Sequence, residues 1–267
     1  SSAASDVYKR QQGWLQVSSA LVTGASSGIG REISKALASE VDRLVVTARS
    51  ADELHTLKKE LSDLTSVEVI IADLSIQSEV EKVVQKAGDI DILVNNAGYG
   101  IYGRIVDQDS DELVGIVDLN IRALTYLGHH YAGDMARRGT GRILNVASIA
   151  AFQPGPGMAV YCASKAFVLS LSRAMSSELN GSGVTVTALC PGYVETGFQE
   201  RSGMILTGVE LWSSISAERV AKSAVKAMMR GRREVIPGYL NWFVPLFARI
   251  LPIRLQLFIV KASLMLR

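Results

Sequence analysis

The sequence predicts a single α/β domain, a doubly wound and mostly parallel sheet of about seven strands with helices on both faces. Short runs rich in β-branched residues recur at 19–23, 43–48, 67–72, 91–96, 142–147, 184–190 and 233–237. Segments with the length and apolar spacing of helices separate them, so the chain reads as a succession of βαβ units. The runs are apolar throughout instead of alternating, as strands must be when helices cover both sides of their sheet.

The first run, "SALVT", leads through the glycine-rich "TGASSGIG" into the helical pattern "GREISKALASE". "RLVVTA" ends in the turn "TARS", "VEVIIA" is followed by "DLS", and "DILVNN" runs into "AG". The long stretch from 110 to 137 is expected to be one helix, and a second long helix is expected over 159–180. "RILNVA", "VTVTALC" and "REVIP" complete the strands. Pro/Gly clusters at 153–157 and 191–193 follow the fifth and sixth, where open α/β sheets keep their ligand crevices.

With 267 residues, 48% of them hydrophobic, the chain can bury one substantial core. Its net charge of +2, from 28 basic and 26 acidic side chains, leaves no broad electrostatic footprint for nucleic acid. Cys162 and Cys190 have neither the number nor the spacing of a disulfide framework or a zinc site, which favours free thiols in a reducing, cytoplasmic setting. His55, His129 and His130 form no metal spacing, so no metal is expected.

Residues 1–18 have polar residues throughout and lack the apolar centre of a secretory signal; they are expected to be a disordered or artefactual tail. The dinucleotide-binding and catalytic domain is expected over 19–238, and an apolar, basic extension over 239–267. In that extension Arg249, Arg254, Lys261, Arg267 and two prolines interrupt large apolar residues, and no 18-residue uncharged run exists to span a membrane. The favoured reading is a cover over the cleft or a subunit interface; the other is peripheral membrane contact through short basic amphipathic helices, with the protein cytoplasmic but membrane-associated.

"TGASSGIG" joins a strand to a helix with Gly24, Gly28 and Gly30 at the positions where a backbone must turn sharply or approach a phosphate closely. The helix behind it offers unpaired N–H groups to a pyrophosphate. The spacing departs from the usual dinucleotide fingerprint, and a tight strand-to-helix turn is the plain alternative. At the end of the second strand a Rossmann-type fold selects its cofactor: an acid would bond the ribose hydroxyls, whereas arginine suits a 2′-phosphate. Arg49 stands there with no acid before it, which favours NADP(H) over NAD(H), although an ordinary surface arginine is the alternative. Ser27 adds no second positive charge.

These stretches, together with "ADLS", "NNAG" at 95–98, "LNI" with Asn120, "VAS" with Ser148, "YCASK" and "PGYVET", resemble the short-chain dehydrogenase/reductase family in its compact, single-domain, NADP-preferring branch. The resemblance runs from about Ser19 to Gly238. It implies catalysis by Asn120, Ser148, Tyr161 and Lys165, with Asn120 holding a water that leads from Lys165 to solvent. It implies cofactor contacts from Gly24, Ser26, Ser27, Gly28, Ile29 and Gly30, and from Asp73 and Leu74 near the adenine. Asn96, Ala97 and Gly98, then Tyr161 and Lys165, then Pro191, Gly192, Val194 and Thr196 complete the set, with Thr196 at the nicotinamide carboxamide. Asn95 is implied to bond backbone within the sheet, and the helices over 110–137 and 159–180 to form a homodimer or homotetramer.

Independently of the resemblance, Tyr161 and Lys165 lie four residues apart and so share one helix face. A unit charge about 4 Å away at an effective dielectric of about 20 is worth about 4 kcal/mol, or roughly three pKa units. That is enough to bring a phenol of pKa about 10 towards working pH. Tyr161 would then protonate a carbonyl oxygen held by Ser148 while the nicotinamide supplies hydride. Residues 192–216 are expected to form a lid, in which Phe198, Met204, Ile205, Leu206 and Trp212 favour an apolar carbonyl or alcohol. A non-catalytic dinucleotide sensor or scaffold is the competing class.

Overall fold

The computed structural model describes residues 19–204 and 214–265, apart from the side chains at 200 and 263–265. The expected tail over 1–18, Arg267, and the lid residues Ile205, Leu206 and Trp212 lie outside the described residues. Six strands come first: β1 (Ser19–Thr23), β2 (Arg43–Ala48), β3 (Ser66–Ile71), β4 (Ile92–Asn95), β5 (Gly141–Val146) and β6 (Val184–Leu189). A two-residue parallel pair, β7 (Val194–Glu195) with β8 (Ile215–Ser216), and an edge strand, β9 (Glu234–Val235), follow. The helices are α1 (Gly28–Leu37), α2 (Ala51–Leu61), α3 (Gln77–Ala87), α4 (Ser110–Val117), α5 (Leu124–Arg138) and α6 (Ala159–Glu178). After them come the short α7 (Phe198–Ser202), then α8 (Ala217–Met229), α9 (Phe243–Ile250) and α10 (Ile253–Met265).

The main sheet is parallel, in the order β3-β2-β1-β4-β5-β6-β9. The chain builds outward from β1 to β3, crosses back to lay β4 beside β1, and builds outward again. The loops after β1 and β4 therefore diverge from adjacent strands, which opens the ligand crevice of a doubly wound sheet.

Successive strand residues enter opposite cores because their side chains alternate. Ala20, Val22, Val46 and Val94 pack with Ile33 of α1, Leu54 of α2 and Val220 of α8. Leu21, Val45 and Leu93, opposite one another in register, pack on the other face with Val80 of α3 and Leu127 and Tyr131 of α5. At the central strands both faces are buried, the physical reason for their apolar runs, whereas the edge strand β3 exposes Ser66, Glu68 and Ile71.

Three expectations need correction. The single helix over 110–137 is interrupted, since Asp118–Ala123 widen into a π turn between α4 and α5. Such turns are short and favour functional positions. The last strand is two residues long and pairs Glu234 and Val235 with Ala188 and Leu189; Pro237, just beyond, has no N–H with which to extend the ladder. The β7–β8 pair was not expected, because two-residue strands leave no periodicity to detect.

Candidate active site

The crevice is anchored by one hydroxyl. Thr23 Oγ1, at the end of β1, donates to the Val94 carbonyl at 3.2 Å and accepts from the N–H groups of Asn96 at 2.9 Å and Ala97 at 3.0 Å. The Asn96 amide returns the link, donating to the carbonyls of Thr23 at 2.9 Å and Gly24 at 3.1 Å. The glycine loop and "NNAG" are thus one unit across the switch point. Gly24 has φ +65°, and a Cβ there would lie 2.8 Å from Ala97 Cα, so both its backbone conformation and its neighbour exclude a side chain.

Tyr161 and Lys165 project from one face of α6, as their spacing predicts. The Tyr161 ring lies against the Gly100 backbone, where a Cβ would come 2.7 Å from Cδ2, and its hydroxyl stands in reach of Ser148. Lys165 is buried, donates to the Val146 carbonyl at 2.8 Å, and sits 5.8 Å from the Tyr161 ring centroid. Burial reverses the expected electrostatics. It pushes the phenol up to about 12, against the lowering influence of Ser148, and pushes Lys165 down to about 8. Losing hydration penalises the charged form of each group, and that is the largest influence on both.

Asn120, on the π turn, is buried with both amide atoms committed. Its Oδ1 accepts from Tyr99 N–H at 3.1 Å, and its Nδ2 donates to the Tyr99 carbonyl and to Ser164 Oγ, each at 3.0 Å. Ser164 Oγ in turn donates to the Tyr161 carbonyl at 2.7 Å. A second polar pin runs through the sheet: Asn95 Nδ2 donates to Asn145 Oδ1 at 2.9 Å, Asn145 Nδ2 to Ser172 Oγ at 3.0 Å, and Ser172 Oγ to the Val168 carbonyl at 2.6 Å. Asn95 therefore bonds a side chain here, where a backbone partner was expected. Together the two chains fix α6 against β5 and the π turn.

A cavity of about 410 Å³ extends from the glycine loop to Tyr161, a volume usual for small-molecule and cofactor sites. All the predicted site residues line it except Gly30 and Asn120. Gly30 packs beneath the loop, where a Cβ would lie 2.3 Å from Asn96 Nδ2, and Asn120 stands behind Gly98. A Cβ on Gly28 would be 3.1 Å from Thr196 Cγ2, so the loop and the turn after β6 face each other closely. The glycine turn, the start of α1 and the depth of the cleft fit a nicotinamide dinucleotide. Arg49, largely exposed, lies 3.7 Å from Asp73. Burial pushes the Asp73 carboxyl up, but two hydrogen bonds from Ser75 and the Arg49 charge hold it below its ordinary value.

The far end of the cleft is walled by Met158, Phe198, Met204 and Val260. Phe198 packs on Tyr161 with ring centroids 5.3 Å apart. Val260 belongs to α10, so the C-terminal extension forms part of the cleft. Asn241, buried just before α9, donates to the Pro237 carbonyl at 2.6 Å and fills the space beside Gly192, where a Cβ would meet its amide at 2.4 Å. Cys162 and Cys190 are free and buried, and burial pushes their thiols up to about 11 and about 12.

Sequence reasoning missed Thr23, Ser164, Arg201 and Val260 as contributors. Ser164 was detectable, since it shares a helix face with Tyr161 and Val168. Arg201, whose Nη1 donates to Ser27 Oγ at 3.3 Å across the mouth of the cleft, carried no local signal.

The model of the short chain dehydrogenase family matches residues 18–204. An uncharacterised oxidoreductase of Staphylococcus saprophyticus is 34% identical over 225 residues, 81% of this chain and 93% of its own. Among solved structures, a short-chain dehydrogenase from Sphingobium yanoikuyae in complex with NADPH is 33% identical, with a TM-score of 0.79 over 87% of this chain and 94% of its own. The bulky-bulky ketone specific alcohol dehydrogenase from Comamonas testosteroni is 31% identical, with a TM-score of 0.74 over 88% and 92%. With its seven-stranded parallel sheet, its stitched glycine loop and these likenesses, the chain belongs to the short-chain dehydrogenase family and is a nicotinamide-dependent oxidoreductase.

Proposed function

We propose that the protein transfers hydride between NADP(H) and the carbonyl or secondary alcohol of an apolar substrate, with Tyr161 as the proton donor and acceptor. The observation that carries this reading is the Tyr161 hydroxyl, set with Ser148 and Lys165 in the wall of a cleft that begins at the glycine loop. When bound, the nicotinamide supplies or accepts the hydride. Ser148 orients the substrate oxygen towards Tyr161. Tyr161, protonated at neutral pH, gives its proton to that oxygen in reduction, and Lys165 stabilises the phenolate that results. Asn120 is a positioning residue, because its side chain is spent on Tyr99 and Ser164, and the water-holding role falls outside its amide.

Arg49, with no acid at the end of β2, supports the preference for NADP(H). The complex of the Sphingobium yanoikuyae relative with NADPH agrees with it. Met158, Phe198, Met204 and Val260 support an apolar substrate. Exposed Val114, Val117 and Phe167 on α4 and α6 support the homodimer or homotetramer. The test is to titrate NADPH and NADH, then screen ketones by loss of reduced-nicotinamide absorbance. Tyr161→Phe is expected to abolish turnover with nucleotide affinity retained. Nucleotide binding without turnover of any ketone by the wild type would favour the sensor reading, and turnover by Tyr161→Phe would refute the acid role.

A further reading concerns α9 and α10. Phe243, Leu246, Phe247, Ile250 and Phe258 are all at least half exposed there, as is Trp242 just before α9, and no acidic residue follows Glu234. No described helix is long and apolar enough to cross a membrane. This basic, apolar face suits the cytoplasmic surface of an anionic membrane. Because Val260 also walls the cleft, docking there would bring the substrate entrance to the lipid. Flotation with anionic vesicles, comparing the full chain with a truncation after Gly238, checks it; equal behaviour of the two would remove it.

A further inference from the structure

Helix α7 is short but firmly placed. Ser202 is buried and its carbonyl accepts from Tyr102 N–H at 2.8 Å, and the Gln199 amide donates to the Val194 carbonyl at 2.9 Å. Phe198 at its start packs on Tyr161. From this frame Arg201 reaches the glycine loop, 174 positions away in sequence, where Nη1 donates to Ser27 Oγ at 3.3 Å. Ser27 is the residue before α1; its backbone is extended and its side chain makes no capping bond to the helix. The first turn of α1 contains no acid, and among the described residues Arg201 has no acidic partner. Arg49 differs, being paired with Asp73, and Arg31 bonds Glu60. The helix end and the Arg201 guanidinium thus set two positive features beside Ser27 with no anion from the described residues between them.

We propose that Arg201 is a second phosphate-recognising residue of the cofactor cleft, carried by the substrate-side helix. The inference rests on the dinucleotide site described above. Its ligand chemistry is a phosphate oxyanion, which a guanidinium binds by charge-assisted, frequently bidentate hydrogen bonds. Because the same helix holds Phe198 against Tyr161, phosphate binding at Arg201 fixes the substrate wall. A phosphate held there thus reaches the wall of the site into which the substrate enters.

The experiment compares wild type, Arg201→Gln and Arg201→Lys in equilibrium titrations with NADPH and with NADH, followed by energy transfer from protein to nicotinamide fluorescence. Hydrogen exchange of residues 198–204 is measured with and without NADPH. Arg201 is exposed, so folding is expected to be unchanged and is checked by circular dichroism. Arg201→Gln is expected to weaken NADPH by about tenfold, the scale of one charge-assisted bond at a partly solvated site, with most of the affinity kept by Arg201→Lys. Equal losses for the two nucleotides locate the contact at the pyrophosphate; a loss confined to NADPH locates it at the 2′-phosphate. NADPH is expected to slow exchange at 198–204 in the wild type and not in Arg201→Gln. Affinity within twofold of wild type for both nucleotides in Arg201→Gln overturns the phosphate role, and equal exchange protection in both proteins overturns the coupling. A wild type that binds neither nucleotide would instead sink the oxidoreductase reading on which the inference stands.

Discussion

Replacing Thr23 by valine tests whether one hydroxyl holds the crevice together. Valine keeps the shape of threonine at this buried position but removes the donor to Val94 and the acceptor shared by Asn96 and Ala97. Two backbone N–H groups lose their partner. Each such loss costs about 1–3 kcal/mol, and the half-buried position of Asn96 and Ala97 puts both at the low end of that range. The expected destabilisation is therefore about 2–3 kcal/mol, which a domain stable by about 5–15 kcal/mol survives. At about 2–4 °C per kcal/mol for a domain of this size, the melting temperature falls by about 5–10 °C. Thr23→Ser retains all three bonds and loses one methyl group, worth about 1 kcal/mol. Thermal melts at one protein concentration, with urea titrations and NADPH titration, compare the two variants. A valine variant melting within about 2 °C of wild type, or a serine variant less stable than the valine one, would refute the assignment.

Gly98→Ala places a Cβ 2.9 Å from Asn120 Oδ1 and 3.3 Å from Lys165 Nζ, so it disturbs both without deleting either. Turnover is expected to fall by at least about tenfold in a folded protein, read from kcat beside a melt, since small misplacements of reacting groups carry such penalties. For the pH dependence, burial lowers Lys165 to about 8, so its charge is present below that value and lost as pH rises through it. In the reductive direction kcat/KM for the reduced nucleotide, which reports the free enzyme, is expected to be level below about pH 7.5 and to decline above pH 8; a level profile to pH 9.5 would remove the charge requirement. The Tyr131 hydroxyl is buried with no hydrogen-bond partner among the described residues. Tyr131→Phe is expected to be neutral or to stabilise by about 1 kcal/mol in urea titration, and a loss of that size would reveal a hidden partner.

Much of the fold was legible because burial on both faces leaves the central strands as apolar runs, and six of the seven matched to within one residue at each end, inside the usual uncertainty of such boundaries. The edge strand shrank because Pro237 and the sheet rim, not local propensity, set its length. The π turn was hidden because Asn120 leaves the α-helix for partners 21 residues away at Tyr99 and 44 away at Ser164. The residue types at the candidate site were legible from their motifs, but their electrostatics were not. The spacing of Tyr161 and Lys165 reveals a shared face and says nothing of the desolvation that moves both groups towards neutrality. Val260 and Arg201 entered the cleft from elements whose positions depend on tertiary packing alone.

The turn at Asp118–Ala123 makes the chemistry of this chain separable from its architecture. A π turn contains one residue more than the α-helical segment it replaces. Deleting a single codon within it would restore regular helix, keep Leu127 and Tyr131 of α5 in their places, and swing the amide that braces Tyr99 and Ser164 out of register. A lineage could therefore silence or regain the brace in one mutational step while the sheet, its strand order and its glycine loop stay intact.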